Sequence, residues 1–352
     1  MKRVAVIAGD GIGKEVIPAG LEVLKKTAAL CGAKVEFVEF PWGCDFYRAN
    51  GRMMDEDGFD RLKDFDAIYL GAIGDPAVPD HISVWQLILP IRQRFDQYVN
   101  LRPMRLVAGA KTPLAGRGAA DIDMVCVREN SEGEYAGIGG RLHAGTPNDV
   151  AQQVSVMTRR GIERIARYAF EVASKRPRKL LASATKSNAL QYTMVLWDQV
   201  LDEVGKEYPL VSWRKYHVDA LVARMVTDPG SMDVIVASNL FGDILTDLGA
   251  AVSGSLGIAP SGNINPERKY PSMFEPIHGS APDIAGKGVA NPIGAIWAGA
   301  LMLDHLGAGA GHDLIVGAIE RVMAAADSPR TPDLGGRAGT RDVTSAILQE
   351  IT

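Results

Sequence analysis

The sequence is poor in cysteine and has no long apolar run, and both shortages narrow the class of protein. Cysteine occurs only three times in 352 residues, at Cys31, Cys44 and Cys126, and never in a Cys-x-x-Cys spacing. Scattered cysteines in odd number argue against a disulfide framework or a zinc knuckle and predict three reduced thiols. The uncharged stretch from Val289 to Leu303 contains a proline and is too short to span a membrane. We therefore expect a soluble cytoplasmic protein.

The chain also lacks an excess of charge of one sign. It has 38 lysines and arginines against 42 aspartates and glutamates, a formal net charge of -4, with no basic stripe and no acidic tail. Nucleic acid is therefore not an expected partner. With 47% hydrophobic and 23% charged residues, the composition is ordinary for a globular enzyme, and the length allows one large domain or two closely joined ones.

Strand-like and helix-like segments alternate along the chain. A buried strand is predicted over Lys2 to Gly9, an amphipathic helix over Gly13 to Leu30, and strands over residues 35–40 and 66–70. This order predicts right-handed crossovers, a largely parallel sheet and two α/β lobes that share it. Further strands are predicted over residues 98–106, 123–127, 153–157, 180–184 and 233–237. Further helices are predicted over residues 84–95, 158–174 (with Thr158 as N-cap), 189–204, from 242, 293–305, 314–325 and 341–351.

A glycine-rich turn after the first strand comes close to two phosphate-binding motifs without matching either. In Gly9-Asp10-Gly11-Ile12-Gly13-Lys14 the third glycine comes one residue too early for the G-x-G-x-x-G dinucleotide fingerprint. A P-loop needs glycine where Ala8 stands and Ser or Thr where Glu15 stands. The run is therefore interpreted as a tight strand-to-helix turn, although a helix N-terminus still allows a cofactor nearby.

Two aspartates are spaced one helical turn apart directly after the strand predicted over residues 233–237. Asp243 and Asp247 would share one helix face, where like charges repel unless a cation lies between them. Oxygen ligands suit Mg²⁺ or Mn²⁺ rather than zinc. The alternative is that Asp243 caps its helix while Asp247 pairs with a surface lysine. Asp219, at another strand-to-helix passage, is a weaker third candidate.

Seven motifs in order resemble those of the β-decarboxylating dehydrogenases, the family of isocitrate, isopropylmalate, tartrate and D-malate dehydrogenases. They are Gly9-Asp10-Gly11-Ile12-Gly13, Asn100-Leu101-Arg102-Pro103, residues 127–135, Lys186-Ser187-Asn188, Val218-Asp219-Ala220, residues 239–247 and residues 275–288. The resemblance covers nearly the whole chain. It implies a two-lobed α/β fold with a continuous mixed sheet that is not a true Rossmann fold. It also implies a cofactor-side domain of residues 1–101 and 254–352, and a substrate, metal and dimerisation domain of residues 102–253.

The same resemblance implies a metal site built by two chains. Asp219, Asp243 and Asp247 would bind Mn²⁺ or Mg²⁺, with Asp219 and Lys186 supplied by the partner subunit, so that the protein would be a homodimer. Whether a monovalent cation such as K⁺ is also needed is left open. Lys186 would be the base, a role that a nearby cation and desolvation favour by lowering the pKa of a lysine. Tyr135 would be the general acid.

Substrate and cofactor contacts are implied in the same way. Arg92, Arg102 and Arg128 match the family's clamp on the malate moiety, and a planar guanidinium is well suited to grip a carboxylate. Asp283 would accept hydrogen bonds from the ribose hydroxyls and repel a 2′-phosphate, which favours NAD over NADP. The cofactor-binding residues implied by the resemblance are Ile12, Glu275, His278, Gly279, Ser280, Ala281, Asp283 and Asn291.

The group on C3 of the substrate is expected to be read by the short helix before Arg92. Gln86 and Ile88 stand where isocitrate enzymes have Ser and Asn, which argues against isocitrate. The segment from residue 78 to residue 100, with Trp85, looks most like tartrate and D-malate dehydrogenases. We therefore expect oxidation of (R)-malate or tartrate-type acids with NAD, and decarboxylation of (R)-malate to pyruvate and CO₂.

Two alternatives to this reading stay open. The apolar run Leu87-Ile88-Leu89 would also suit the substrate pocket of a 3-isopropylmalate dehydrogenase. The family further contains non-catalytic regulatory subunits, which are expected to have lost part of the site. Because every lysine, tyrosine, arginine and aspartate named above is present, an enzyme is the favoured reading.

Overall fold

A ten-stranded sheet runs through the whole protein, which a computed structural model describes from residue 1 to residue 352. The strands are β1 (Lys2–Gly9), β2 (Val35–Glu39), β3 (Ala67–Ala72), β4 (Val99–Arg105), β5 (Asp123–Glu129), β6 (Gly139–Leu142), β7 (Val150–Gln153), β8 (Leu180–Thr185), β9 (Ser212–His217), β10 (Val234–Ala237), β11 (Pro260–Ile264) and β12 (Ser272–Pro276). Their order across the sheet is β2-β1-β3-β12-β11-β4-β5-β10-β8-β9, while β6 and β7 form a separate ribbon.

Antiparallel pairing is confined to the middle of the sheet. Strand β11 runs antiparallel to both β12 and β4, and β4 runs antiparallel to β5. All other pairs in the sheet are parallel. The expected α/β fold with a continuous mixed sheet is therefore confirmed. The division into domains at residues 101 and 254 stays a prediction, because one sheet continues through both parts.

Helices cover both faces of the sheet. They are α1 (Gly13–Leu30), α2 (Cys44–Asn50), α3 (Gly58–Leu62), α4 (Asp80–Ser83), α5 (Leu89–Arg94), α6 (Arg159–Lys175), α7 (Thr193–Gly205), α8 (Val218–Thr227), α9 (Asn239–Val252), α10 (Ile293–His305), α11 (Gly309–Ala324) and α12 (Thr340–Glu350). A π-helical turn over Val84–Ile88 joins α4 to α5. None of these helices has both the length and the apolar character needed to cross a membrane.

The largest apolar core lies between β1, β3 and a layer of helices that includes α1 and α10. Helix α1 buries Val16, Ile17 and Leu24, as its helical spacing predicts. Helix α10 is buried on almost every side from Ile293 to Leu303, which accounts for the lack of charged residues before Asp304. The three cysteines are unpaired, as expected, and burial raises the pKa of the Cys44 and Cys126 thiols to about 12.

Several predicted elements are corrected by the structure. The strand predicted over residues 153–157 is wrong, because the paired residues are those of β7, which pairs with β6 away from the main sheet. The helix predicted from residue 189 begins at Thr193, since residues 189 and 190 close a turn onto the Lys186 carbonyl. The helix predicted from residue 242 begins at Asn239, directly after its N-cap Ser238. Strands β9, β11 and β12 were not predicted.

The parallel strands of the second half bring functional residues to one edge. Strands β5, β10, β8 and β9 are neighbours and all point the same way, so their carboxyl ends lie side by side. Arg128 stands next to last in β5, and Asn239 follows β10 after one residue. Lys186 directly follows β8, and Asp219 follows β9 after one residue. This edge of the sheet carries the candidate site.

Candidate active site

Arg128 is the most deeply buried charged side chain of the site, with 1% of its surface exposed. Its Nε and Nη2 donate to the carbonyl and Oδ1 of Asn239 at 2.8 and 2.7 Å, and Nη1 donates to Oδ1 of Asp243 at 2.6 Å. Burial, followed by the like charge of Arg102, lowers the pKa of Arg128 to about 9. Gly242 makes this packing possible, since a Cβ there would lie only 2.7 Å from Cβ of Arg128.

Arg102 reaches the same carboxylate from the neighbouring strand β4. Its Nη1 lies 2.6 Å from Oγ1 of Thr246 and 3.2 Å from Oδ1 of Asp243. One oxygen of Asp243 therefore accepts from two guanidinium groups. Although burial opposes ionisation, the charges of Arg128 and Arg102 hold the pKa of Asp243 below its usual value.

Arg92 lies near the same group but has a different partner. Its Nη2 donates at 2.7 Å to Oε1 of Glu275, which also accepts from Asn263 at 2.7 Å. Glu275 was expected to bind the cofactor, and in the structure it contacts this arginine. The charge of Arg92 still contributes to the low pKa of Asp243. The Nε–H groups of Arg92 and Arg102 are buried without an acceptor from the chain, so they are suited to donate to an anionic ligand.

Tyr135 borders the same carboxylate. Its hydroxyl donates to Oδ2 of Asp243 at 3.3 Å, and its ring centre lies 5.8 Å from the guanidinium carbon of Arg128. Burial and the nearby charge of Asp243 raise the pKa of Tyr135. The phenol therefore keeps its proton near neutral pH and is available as a donor.

The segment expected to read the substrate packs against the Tyr135 turn. The side-chain amide of Gln93 donates to the Tyr135 carbonyl at 3.1 Å. The indole of Trp85 lies against Gly137, where a Cβ would come within 2.9 Å of the ring. Leu87 is fully buried in the apolar core and Leu89 is also buried. The apolar run Leu87-Ile88-Leu89 was the reason to consider 3-isopropylmalate as a substrate, and two of its side chains are therefore packed in the protein interior.

Asp247 lies one turn after Asp243 on α9 and has no charged partner. Partial burial and the charge of Asp243 raise the pKa of Asp247, and no hydrogen bond lowers it. The alternative drawn from the sequence is wrong, because Ser238 is the N-cap and Asp247 pairs with no lysine. A divalent cation fits these two adjacent carboxylates, since it would relieve their repulsion. Within one chain, no group of three or more His, Cys, Asp or Glu side chains is close enough to hold a metal ion.

Lys186 and Asp219 form a second, separate group. The Lys186 amine donates to Oδ1 of Asp219 at 2.7 Å, and the two side chains are 29% and 68% exposed. The hydrogen bond from Lys186 lowers the pKa of Asp219. Within one chain, neither side chain makes a hydrogen bond or an ion pair to Asp243 or Asp247. The predicted catalytic and metal-binding residues are therefore divided between two groups.

A large cavity lies beside the glycine-rich turn at the start of α1. It has a volume of about 850 Å³, and four of the predicted cofactor residues line it: Ile12, His278, Ala281 and Asn291. Glu275, Gly279, Ser280 and Asp283 do not line it. Among these, Ser280 accepts a hydrogen bond from the Ile12 amide at 2.9 Å, and Asp283 is exposed on the surface. Other lining residues, among them Lys111, Thr112, Ser255 and Asp333, could not be predicted, because they lie outside every motif.

Two polar side chains of the cavity, those of His278 and Asn291, are oriented by hydrogen bonds. Nδ1 of His278 contacts the Gly279 carbonyl at 3.0 Å, while Nε2 is buried without a partner. Burial lowers the pKa of His278, so its ring is neutral. The Asn291 amide donates to Asp333 at 2.9 Å and accepts from the Ile293 amide at 3.0 Å. A roomy cavity with a few oriented polar groups and one unpartnered nitrogen fits a heteroaromatic ligand such as adenine.

Known dehydrogenases are similar to this chain over nearly its whole length. The model of the isocitrate/isopropylmalate dehydrogenase family matches residues 3–351. The chain is 54% identical to D-malate dehydrogenase [decarboxylating] of Escherichia coli (strain K12) over 356 residues, covering 99% of this chain and 98% of that protein. It is 53% identical to tartrate dehydrogenase/decarboxylase of Pseudomonas putida, covering 98% and 96%. The crystal structure of isocitrate dehydrogenase from Methylococcus capsulatus superposes with a TM-score of 0.91 at 34% identity, covering 100% and 99%.

Proposed function

This chain belongs to the isocitrate/isopropylmalate dehydrogenase family, and we propose that it oxidises (R)-malate or tartrate-type 2-hydroxy acids and decarboxylates (R)-malate to pyruvate and CO₂. It is an enzyme, a decarboxylating dehydrogenase of the tartrate and D-malate type. Family members generally depend on NAD and a divalent metal ion and act on small hydroxy acids. The finer assignments to NAD and to Mn²⁺ or Mg²⁺ are part of the proposal.

One observation carries the proposal: three buried arginines form a cluster in which two are bonded to Asp243 and the third is bonded to Glu275. Arg92, Arg102 and Arg128 are all less than 10% exposed, and two of them have a buried N–H without an acceptor. Asp243 and Glu275 balance part of this positive charge, but the Nε–H groups of Arg92 and Arg102 still lack an acceptor, and the carboxylates of a malate-type acid are suited to supply it. Guanidinium groups also fix the orientation of a carboxylate through paired hydrogen bonds. The arginines thus hold C2 and C3 of the acid in a defined position.

Lys186 and Tyr135 move the protons of the reaction. Lys186 accepts the proton of the C2 hydroxyl while the hydride leaves C2, and NAD supplies the hydride acceptor. A divalent cation held by Asp243, Asp247 and the partner subunit's Asp219 would polarise the C2 oxygen and stabilise negative charge on it. The C4 carboxylate leaves as CO₂, and its bonding electron pair forms the enolate C2=C3 bond. Tyr135 donates its phenolic proton to C3, and pyruvate results.

The proposed site requires two copies of the chain. Lys186 and Asp219 contact each other and not Asp243 within one chain, and a homodimer would bring the two groups together. The ribbon of β6 and β7 supports this arrangement, because all its residues are exposed and it presents Leu142 and Val150 to solvent. An isolated two-stranded ribbon with exposed apolar side chains is suited to pair with a second copy.

Subunit complementation tests the shared site. The variants Lys186→Met and Asp243→Asn are each expected to be inactive as homodimers. If the site is shared, co-expressed subunits form heterodimers with one intact site, and random assembly restores roughly a quarter of the wild-type activity. If each chain builds its own site, every site in the mixture carries one of the two substitutions, and no activity returns.

The cofactor choice rests on Asp283, which is exposed near the cavity and fits ribose hydroxyls better than a 2′-phosphate. A monovalent cation such as K⁺ is left open as an activator. We also propose a cytoplasmic enzyme, because all three cysteines are unpaired. Replacing Asp283 with asparagine is expected to narrow the preference for NAD over NADP, measured as the ratio of the two kcat/KM values.

A steady-state panel tests the substrate. (R)-malate, both enantiomers of tartrate, 3-isopropylmalate and isocitrate are compared with NAD and NADP at fixed Mn²⁺. The proposal expects (R)-malate or tartrate with NAD to give the highest kcat/KM, with overlapping activities because one methylene changes discrimination by only about 1–3 kcal/mol. Much faster turnover of 3-isopropylmalate would overturn the substrate assignment. Absence of NADH formation with every acid would instead favour a regulatory subunit.

A further inference from the structure

Helix α7 anchors the chain on both sides of Lys186. Before the lysine, the indole N–H of Trp197 donates to Oγ of Ser183 in β8 at 3.0 Å. After the lysine, Oγ of Ser187 donates to Oδ2 of Asp198 at 2.7 Å. Trp197 and Asp198 are neighbours on α7, and both are less than 10% exposed. The lysine thus lies between two points of attachment to the same rigid helix.

The carboxylate of Asp198 joins three elements of the fold. Its Oδ2 accepts from Ser187 and also from Nζ of Lys215 on β9 at 3.0 Å. Its Oδ1 is buried without a partner. A buried carboxylate with one unsatisfied oxygen is costly for stability, so packing alone gives no reason for an aspartate at this position. The direction of its contacts, toward the residue after Lys186, gives such a reason.

We propose that Asp198 is a positioning residue, which acts through the hydroxyl of Ser187 to fix the backbone from which the Lys186 side chain projects toward the substrate. The inference rests on the proposed function of Lys186 as the base. Asp198 itself does not touch the substrate. Lys215 balances its charge, and Ser187 transmits its position. Loss of the link would leave the residues after β8 free to shift, and a displacement of about 1 Å at a reacting group can lower a rate about 100-fold.

The test compares Ser187→Ala and Asp198→Ala with a control on the same helix. Asp202→Ala removes an exposed carboxylate one turn further along α7 that makes no hydrogen bond or ion pair. With (R)-malate, NAD and Mn²⁺, the first two variants should lose about 10- to 100-fold in kcat with little change in KM, because the arginine site is intact. Asp198→Asn keeps an acceptor for the Ser187 hydroxyl and should recover most of the loss. Asp202→Ala should behave as wild type.

Isotope effects separate misplacement from partial unfolding. With (R)-malate deuterated at C2, a misplaced base slows the oxidation step, so the deuterium effect on kcat/KM rises in Ser187→Ala and Asp198→Ala. A variant that merely contains fewer folded molecules loses kcat without any change in the isotope effect. In the double variant the two losses should not add, because both remove the same link. Thermal unfolding midpoints, measured alongside, report the cost to stability.

The outcomes distinguish this inference from the proposed function. Lys186→Met should be inactive; if it keeps activity, the assigned base is wrong whatever Asp198 does. If Lys186→Met is inactive while Ser187→Ala keeps wild-type kcat and isotope effect, the positioning role of Asp198 is wrong and the proposed function stands. Additive losses in the double variant would also overturn the inference.

Discussion

Replacing Gly242 with alanine tests whether the fit between α9 and Arg128 sets the activity. A Cβ at this position would lie 2.7 Å from Cβ and 3.0 Å from Cδ of Arg128, and closer still to Cγ, whereas ordinary contacts begin at 3.4 Å. The arginine must therefore move by roughly 1 Å, away from Asn239 and Asp243, its hydrogen-bond acceptors. A shift of this size is expected to lower kcat/KM for (R)-malate about 100-fold. Stability should fall by about 1–3 kcal/mol, because overpacking and weakened hydrogen bonds outweigh the gain of about 1 kcal/mol in helix propensity.

Gly249 provides the matched control, since it lies two turns along the same buried face of α9. A Cβ there would lie 2.7 Å from Cγ of Met104 and closer still to its Sδ, but this thioether side chain is flexible and can move away. Gly249→Ala should therefore change stability by a similar or smaller amount and leave kcat/KM within about threefold. Steady-state kinetics and urea unfolding of both variants make the comparison. Near-wild-type kcat/KM in Gly242→Ala, or equal losses in both variants, would refute the reasoning.

Three further predictions address the acid, the pH dependence of stability and the substrate pocket. Tyr135→Phe removes the proposed proton donor, so kcat with (R)-malate should fall about 100-fold or more while KM changes little; an unchanged kcat would assign the proton to another group. Burial lowers the pKa of His305 to about 4, so its contribution to stability is complete above pH 6.5 and is lost as the pH falls toward 4. Between pH 6.5 and pH 4, the free energy of unfolding measured in urea should fall by up to about 3 kcal/mol less in His305→Phe than in the wild type. An equal fall in both proteins would contradict the assignment. Trp85→Ala removes the indole beside Gly137 and should raise the ratio of kcat/KM for 3-isopropylmalate to kcat/KM for (R)-malate about 10-fold or more. If this ratio does not change, the indole lies outside the substrate pocket.

The elements that could be predicted from the sequence are those whose own side chains determine their burial. Helix α1 has apolar residues at helical spacing and was predicted from Gly13 to Leu30, as observed. Strand β11 (Pro260–Ile264) is fully buried although it contains proline, serine, glycine and asparagine. Its residues are held by neighbours on both sides, and no local pattern signals this kind of burial. Strand β9 (Ser212–His217) is an edge strand with arginine and lysine, so its pattern was equally weak.

The candidate site was predicted as a set of residues but not as a set of contacts. The aspartate spacing indicated a cation, and Asp243 and Asp247 do share a helix face. The pairing of Arg92 with Glu275 could not be inferred, because it depends on where β12 lies in the sheet. Asp198 carried no signal at all, since its role depends on contacts with the segment after β8 and with strand β9. Contacts between distant segments follow from topology, which a single sequence does not encode locally.

The central position of β11 and β12 determines the order in which the polypeptide can fold during synthesis. About 150 residues separate the end of β4 from the start of β11, so a ribosome needs roughly 10–30 s between them. Until the hairpin emerges, β3 and β4 each have an unpaired edge, and the neighbours that finally cover them do not yet exist. During this time the N-terminal strands can form only part of the sheet, with exposed strand edges. In this state aggregation competes with folding, and chaperone binding protects the chain most.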